Sequence, residues 1–124
     1  MTKHILIIDD EEILRTSLMQ YLDDCGYNVK IAADGYIALD ILDKNQDIEL
    51  AVVDLRMPGM SGDKFIIQAN KKFPGLKFII QTGNMDYRPA EDLTAIGITP
   101  EVILHKPVLK LTTYVELIER LISD

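Results

Sequence analysis

The chain has 124 residues, of which 48% are apolar, and its 20 acidic and 13 basic side chains give a formal net charge of −7 at pH 7. This composition predicts one domain with a packed core over residues 1–124 and excludes a disordered chain. The negative charge repels nucleic acids and anionic membrane surfaces, so we expect neither as a direct partner. The first apolar run, Ile5–Ile8, is too short for a signal peptide or a membrane span, and we expect a cytoplasmic protein.

Five short apolar runs alternate with helical patterns along the chain. Three of these runs, "ILII", "LAVV" and "FII", are continuous rather than alternating, which is typical of parallel strands covered on both faces. The predicted strands are His4–Ile8, Tyr27–Ile31, Leu50–Val53, Leu76–Gln81 and Glu101–His105.

The helical patterns lie between and after these strands. Their predicted ranges are 11–24, 35–44, 62–73, 89–96 and 110–122. Gly26 is placed to end the first helix, and Ser61 is a good N-cap for the third. Strand–helix alternation with short connections predicts an α/β sandwich of flavodoxin-like topology, with five parallel strands in the order 2-1-3-4-5.

Polar side chains follow four of the predicted strands at the point where each strand ends. Asp9 and Asp10 follow the first strand, Asp54 the third, Thr82 the fourth and Lys106 the fifth. The carboxyl ends of parallel strands meet at one edge of the sheet, where ligand sites form, so we expect these groups to converge. A single aspartate in such a position is usually a helix cap or a turn residue, and it is the combination that indicates chemistry.

Three carboxylates brought together repel one another unless a cation binds between them. A small set of oxygen ligands suits Mg²⁺, and an ammonium and a hydroxyl beside one further carboxylate complete a site for a phosphoryl group. A carboxylate in this position can attack phosphorus and form an aspartyl-phosphate. Asp54, held at the end of a rigid apolar strand, is the predicted nucleophile.

The segments "ILIIDDEE", "VVDLRMPGMSG" and "HKPV", together with Thr82, resemble the receiver domains of bacterial two-component response regulators over essentially the whole chain. The resemblance implies that Asp54 accepts the phosphoryl group. It also implies a Mg²⁺ site in which Asp10 binds directly and Asp9 binds through water, alongside Asp54 and the backbone carbonyl of Arg56.

The resemblance assigns roles to the remaining site residues as well. Lys106 is implied to contact the phosphoryl group, Thr82 to supply the switch hydroxyl, and the Lys106–Pro107 bond to be cis. Arg56 and Asn84 are implied to border the path of the water that removes the phosphoryl group.

A phosphorylation-controlled switch follows from this resemblance, with a histidine kinase or a histidine phosphotransfer protein as donor. The domain would assist its own phosphorylation and dephosphorylation without being an enzyme for other substrates. The chain ends soon after its last helical pattern, so we expect no output domain and a signal relayed by protein–protein contact. The implied output surface is helix 4, strand 5 and helix 5, and a second copy of the chain is another candidate partner.

Two features of this output face depart from the family pattern. Ile103 stands where the family usually has an aromatic residue, and "AIGITPEVILHKP" is about two residues longer than usual and contains Pro100. A β-branched side chain has no ring to swing, so we expect the 87–100 segment to carry more of the signal than residue 103.

Helix 5 carries two adjacent apolar stripes that together span roughly 160° of its surface. One interpretation is a partly exposed strip that docks a partner, and the other is that helix 4 or the rim of the sheet covers the second stripe. The first stripe comprises Leu111, Val115, Ile118 and Ile122, and the second comprises Tyr114, Leu117 and Leu121.

Three alternative functions stay open from the sequence. A Mg²⁺-dependent phosphatase of the haloacid-dehalogenase type also uses an aspartyl-phosphate, but such enzymes usually have an acid where this chain has Arg56. A flavodoxin that binds FMN needs a Ser/Thr/Gly-rich loop after strand 1, and "DDEE" is electrostatically unsuited to a metal-free phosphate. A binding module that is never phosphorylated can be separated from a switch only by chemistry.

Overall fold

The computed structural model describes residues 2–122 and shows a five-stranded parallel sheet between two layers of helices. The strands are β1 (His4–Ile8), β2 (Asn28–Ala32), β3 (Leu50–Asp54), β4 (Lys77–Thr82) and β5 (Ile103–His105). The helices are α1 (Glu12–Asp24), α2 (Gly35–Lys44), α3 (Gly62–Lys72), α4 (Glu91–Ala95) and α5 (Thr112–Ile122). The strand order, β2-β1-β3-β4-β5, confirms the predicted topology.

Each face of the sheet contributes to a separate hydrophobic cluster, because successive side chains of a strand point to opposite faces. On one face, the alternate strand residues Ile8, Val53 and Ile80 pack with Phe65 of α3 and Leu42 of α2. On the other face, alternate strand residues pack with α1 and α5. The central members of that second cluster are Ile5, Ile7, Leu18, Leu22, Val52, Ile79, Leu117 and Ile118. The central strands are therefore buried on both sides, as their continuous apolar runs predict.

Side-chain caps and a glycine set several helix boundaries. The Asp34 carboxylate accepts a hydrogen bond from the backbone N–H of Ile37, and the Ser61 hydroxyl accepts one from Lys64. Gly26 follows α1 with a φ of +97°, a conformation that favours glycine. No helix among residues 2–122 is long and apolar enough to cross a membrane.

The fifth strand is shorter than predicted. The structure begins β5 at Ile103, and Pro100–Val102 form a 3₁₀ turn instead of its first part. The backbone N–H of Val102 donates to the carbonyl of Thr99, so it is engaged within the turn. Pro100 has no backbone N–H and favours the start of such a turn, which explains the shortened strand.

Helix α4 is also shorter than the predicted range 89–96. It begins only at Glu91, because Ala90 has an extended backbone conformation (φ −67°, ψ 164°) and acts as its N-cap.

The apolar stripes of α5 lie mainly against the protein interior, which favours the interpretation that the rim of the sheet covers them, while Val115, Leu121 and Ile122 stay half-exposed. Tyr114, Leu117 and Ile118 are buried, and Val115 is half-buried. Leu121 packs against both hydrophobic clusters, which shows that α5 reaches around the edge of the sheet beside β5. A helix in this position needs a wide apolar face, and of the seven stripe residues only Leu111 is exposed.

Candidate functional site

The polar residues predicted from the strand ends meet at one edge of the sheet. The strand register brings Asp54 level with Gln81 and Thr82 level with His105, one residue before Lys106. A cavity of about 270 Å³ opens there, lined by Asp10, Glu11, Asp54, Arg56, Thr82, Gly83 and Lys106.

The ammonium group of Lys106 lies among three carboxylates of this site. Its Nζ is 3.1 Å from Asp54 Oδ2, 3.3 Å from Asp9 Oδ2 and 3.5 Å from Glu11 Oε1. Burial lowers the pKa of Lys106, but the neighbouring Asp54 and Asp9 more than offset this effect, so its pKa is raised overall. Lys106 therefore keeps its proton at neutral pH and supplies the positive charge on this side of the cavity.

Asp9 is almost fully buried, and its neighbours hold its carboxylate. Its Oδ1 accepts the backbone N–H of Glu11 at 2.9 Å. Its Oδ2 accepts the side-chain amide of Gln81 at 2.9 Å and the ammonium of Lys106. Asp10, in contrast, is exposed and lines the cavity. Both oxygens of Asp9 are thus engaged by protein donors, whereas Asp10 lies where it can meet a ligand.

Asp54 lies at the end of β3 with only 5% of its surface exposed. Burial raises its pKa, the Lys106 ammonium lowers it and Asp9 raises it, and the net result is a pKa of about 6. The backbone N–H of Arg56 donates to Oδ1 at 3.4 Å. Asp54 is therefore mainly an anion at pH 7, poorly solvated and oriented by its neighbours, which suits a nucleophile.

The donor set of this edge fits a hard divalent cation. Asp9, Asp10, Glu11 and Asp54 each offer a carboxylate oxygen, and these oxygens all lie within 4.8 Å of one another. All the donors are oxygens, and Mg²⁺ characteristically binds one or two carboxylates while keeping several waters. Sequence reasoning did not include Glu11 in the site, although it is the third acid of "DDEE".

Thr82 and Gly83 border the same cavity. Thr82 is 4% exposed, and its hydroxyl oxygen accepts the backbone N–H of Asn84 at 3.1 Å. Its carbonyl accepts the N–H of Lys106 at 2.8 Å, which ties the end of β4 to the residue after β5. The Lys106–Pro107 peptide bond is cis.

Ile103 is buried in the hydrophobic cluster beneath this edge and pairs with Ile80 of β4. Its side chain is therefore fixed in the core rather than placed at the surface.

Two residues behind the cavity were missed from the sequence. Gln81 donates from Nε2 to Asp9, and its Oε1 accepts the hydroxyl of Tyr114 at 2.7 Å. Burial raises the pKa of Tyr114 to about 12, so the hydroxyl keeps its proton and donates. Gln81 is a polar residue at the end of an apolar run, which was a usable signal, whereas Tyr114 lay within an apolar stripe that gave none.

The chain is similar to one known domain family and to several known proteins. The family model described as "Response regulator receiver domain" matches residues 5–119. The chain is 30% identical over 120 residues to the sensor kinase CckA of Brucella abortus; this match covers 94% of the chain but 12% of that kinase. The chain therefore spans only a small part of this relative's length.

Two solved structures have the same fold. Chemotaxis protein CheY4 of Vibrio cholerae matches with a TM-score of 0.86 and 25% identity, covering 98% of this chain and 100% of that one. Response regulator TrrA of Thermotoga maritima, solved in complex with Mg²⁺ and BeF, matches with a TM-score of 0.83 and 26% identity, covering 98% and 100% of the two chains. Receiver domains are the phosphorylation-controlled switches of two-component systems. The sheet topology, the acidic edge with its lysine, and these similarities show that the chain belongs to the family of response regulator receiver domains.

Proposed function

We propose that the whole chain forms one receiver domain in which Asp54 accepts a phosphoryl group from a phosphohistidine. The donor is a histidine kinase or a histidine phosphotransfer protein. The observation that carries this proposal is a buried carboxylate facing a cavity of about 270 Å³, with the Lys106 ammonium 3.1 Å from its Oδ2. A nucleophile, a positive charge and space for a ligand are thus present together.

In the transfer step, a carboxylate oxygen of Asp54 forms a bond to phosphorus while the N–P bond of the phosphohistidine breaks. The departing imidazole keeps the electron pair of that bond and takes up a proton. Lys106 contacts Asp54 already and supplies positive charge where the phosphoryl oxygens arrive, which lowers the electrostatic cost of bringing two anions together. Asp54 needs no general base, because it is mainly ionised at neutral pH.

The residues that would hold Mg²⁺ are Asp10 directly and Asp9 through water, with Asp54 and the backbone carbonyl of Arg56. When bound, Mg²⁺ supplies further positive charge beside the transferring group. The engaged oxygens of Asp9 and the exposed position of Asp10 support this division.

The residues that border the phosphoryl group then transmit its presence to the rest of the domain. Thr82 lines the cavity, and the backbone N–H of Asn84 donates to its hydroxyl and so links it to the loop after β4. That loop is tied to α3 by the Tyr87 hydroxyl, which donates to Asp63 at 2.9 Å. We propose that the 87–100 segment, with β5 and α5 behind it, forms the surface that changes for a downstream protein or a second copy of the chain.

The test is the intact mass of the protein after incubation with acetyl phosphate and Mg²⁺. In this reaction the carboxylate attacks phosphorus and acetate leaves. We expect a gain of one phosphoryl group that requires Mg²⁺ and disappears in Asp54→Asn. Asp23→Asn, an exposed carboxylate near the end of α1, is the matched control and should be labelled like the wild type. Equal labelling of Asp54→Asn and wild type would overturn the assignment, and no labelling of the wild type would favour a binding module that is not phosphorylated.

A further inference from the structure

Three buried polar groups connect the acidic edge to the interior face of α5. The Tyr114 hydroxyl donates to Gln81 Oε1 at 2.7 Å, and Gln81 Nε2 donates to Asp9 Oδ2 at 2.9 Å. The exposed fractions of Tyr114, Gln81 and Asp9 are 4%, 3% and 1%. Water therefore has little access to any of these groups, and Tyr114 and Gln81 each depend on the next group for a hydrogen bond.

The donor and acceptor groups of these three side chains fix the direction of both hydrogen bonds. An ionised Asp9 only accepts, so Gln81 must present its NH₂ group to it and leave its carbonyl oxygen for Tyr114. The phenol of Tyr114 must then be the donor. Turning the Gln81 amide over would place its carbonyl oxygen against the Asp9 carboxylate, so the three side chains have one compatible arrangement.

The position of Gln81 on β4 lets its side chain contact both Asp9 and Tyr114. Gln81 follows Ile79 by two positions on β4, so both point to the sheet face covered by α1 and α5. Tyr114 packs in the hydrophobic cluster of that face. A cavity of about 370 Å³ between α1 and α5 borders Asp9, Gln81, Lys106 and Tyr114, together with apolar side chains. There is thus space beside these three side chains into which they can shift.

We propose that Gln81 and Tyr114 are positioning residues that hold Asp9 for cation binding and transmit the occupancy of the acidic edge to α5. This inference rests on the proposed Mg²⁺ site. Asp9 Oδ2 is shared between Lys106 and Gln81, so a cation that draws Asp9 or Lys106 to a new position alters the Gln81 contact. Gln81 in turn cannot move without changing its hydrogen bond to Tyr114. This route needs no aromatic ring at Ile103, since it passes through the interior of β4.

The first test follows Tyr114 directly. The chain has five tyrosines, so protein labelled with 3-fluorotyrosine gives five fluorine resonances, which Tyr→Phe variants at the other four positions assign by elimination. We expect the Tyr114 resonance to move during a Mg²⁺ titration with the same midpoint as cation binding. Tyr27 is the matched control, because it is buried in the same cluster but its hydroxyl donates to Glu119. Its resonance should stay in place.

The second test compares Mg²⁺ affinities by calorimetry. Tyr114→Phe removes only the hydroxyl and, because Tyr114 acts on Asp9 through Gln81, should weaken Mg²⁺ binding several-fold, below the roughly tenfold that is the lower end for direct hydrogen-bond partners of metal ligands. Tyr27→Phe also loses a hydroxyl that donates a hydrogen bond and should bind Mg²⁺ like the wild type. Because the two residues act in series, Gln81→Met/Tyr114→Phe should bind no more weakly than Gln81→Met alone.

The outcomes separate this inference from the proposed function. Mg²⁺ binding with a stationary Tyr114 resonance, or equal affinities in Tyr114→Phe and Tyr27→Phe, overturns the inference and leaves the cation site intact. Absence of Mg²⁺ binding in the wild type overturns both. If Tyr114→Phe does not fold, the fluorine titration of the wild type still decides, because its assignment uses the other four tyrosines.

Discussion

The buried environment of Asp54 disfavours the ionised form of its carboxyl group. Its pKa rises from an ordinary value of 3.8 to about 6, with burial as the largest cause. The folded protein therefore binds a proton at Asp54 more tightly than the unfolded chain does. With no divalent cation present, stability contributed by this group is greatest below pH 4 and falls as the pH rises from about 4 to about 6.

Asp54→Asn should consequently stabilise the cation-free protein at pH 7, by roughly 1 to 3 kcal/mol, since each pKa unit corresponds to about 1.4 kcal/mol. The gain should shrink toward zero near pH 4, where the wild-type carboxyl is protonated in the fold. Urea unfolding in the presence of a chelator at several pH values measures this difference. If the difference in unfolding free energy between variant and wild type does not change with pH, ionisation of Asp54 does not destabilise the fold.

Arg56 and Asn84 are proposed to border the route by which water reaches the acceptor. Arg56 is exposed and lines the cavity, and the Asn84 side chain accepts the N–H of Asp86 and so shapes the loop after β4. Alanine at either position should change the dephosphorylation rate several-fold, because the attacking water loses the groups that orient or obstruct it. Loss of the phosphoryl group can be followed by intact mass.

Arg88→Ala is the control for charge, since Arg88 is exposed and its guanidinium bonds the carbonyl of Tyr87. If Arg56→Ala and Asn84→Ala both decay at the wild-type rate, water reaches the site by another path.

The individual site residues that follow the strands could be identified from the sequence, because the carboxyl ends of parallel strands meet at one edge of the sheet. Asp9, Asp54, Thr82 and Lys106 are examples. The Gln81–Tyr114 contact could not be derived in the same way. It depends on how α5 is rotated against the sheet, which no local pattern specifies.

Among the elements, the connection from β3 to α3 fixes the position of Asp54 most directly. The N–H of Gly62, the first residue of α3, donates to the carbonyl of Leu55 at 3.0 Å. A Cβ at Gly62 would lie 2.7 Å from the Asp54 carbonyl oxygen and 2.8 Å from the Leu55 Cα, both backbone atoms that cannot easily move. The start of α3 therefore lies directly against the end of β3.

Gly62→Ala should lower the stability by roughly 1 to 3 kcal/mol, the usual cost of forcing extra atoms into a packed site, and should slow phosphorylation by displacing Asp54. Gly75→Ala is the matched control, because a Cβ there meets nothing within 4 Å. Thermal unfolding and acetyl phosphate labelling compare the two variants. If Gly62→Ala is as stable as Gly75→Ala, the β3–α3 connection accommodates the added Cβ without displacing β3.

The elements were predicted in number, type and order, because apolar runs and helical stripes alternate clearly. Their ends were less predictable. Glu101 and Val102 read as strand residues, but Pro100 draws them into a 3₁₀ turn. The width of the apolar face of α5 was visible in the sequence, whereas its cause, the wrapping of α5 around the sheet edge, requires the assembled fold.

For the molecule as a whole, the acidic edge concentrates negative charge in a chain that already carries a net charge of −7. A cation bound only by the folded state raises its stability by mass action. Mg²⁺ at neutral pH should therefore raise the melting temperature more than KCl of equal ionic strength.

Asp10→Asn should reduce the Mg²⁺-dependent increase, and Asp23→Asn should leave it unchanged. Equal increases in all three proteins would place the stabilising cation away from this edge.

The two outer strands of the sheet have consequences for how copies of the chain meet. A β-strand at an edge offers unpaired backbone groups to which another chain can add a strand. β2 carries Lys30 at its centre, and a charged side chain in that position discourages such pairing. β5 has only three residues, and Pro100 and Pro107 on either side of it offer no N–H. Strand addition is thus disfavoured at both ends of the sheet, which protects the chain from edge-to-edge aggregation and leaves its helices and loops as the surfaces for recognition.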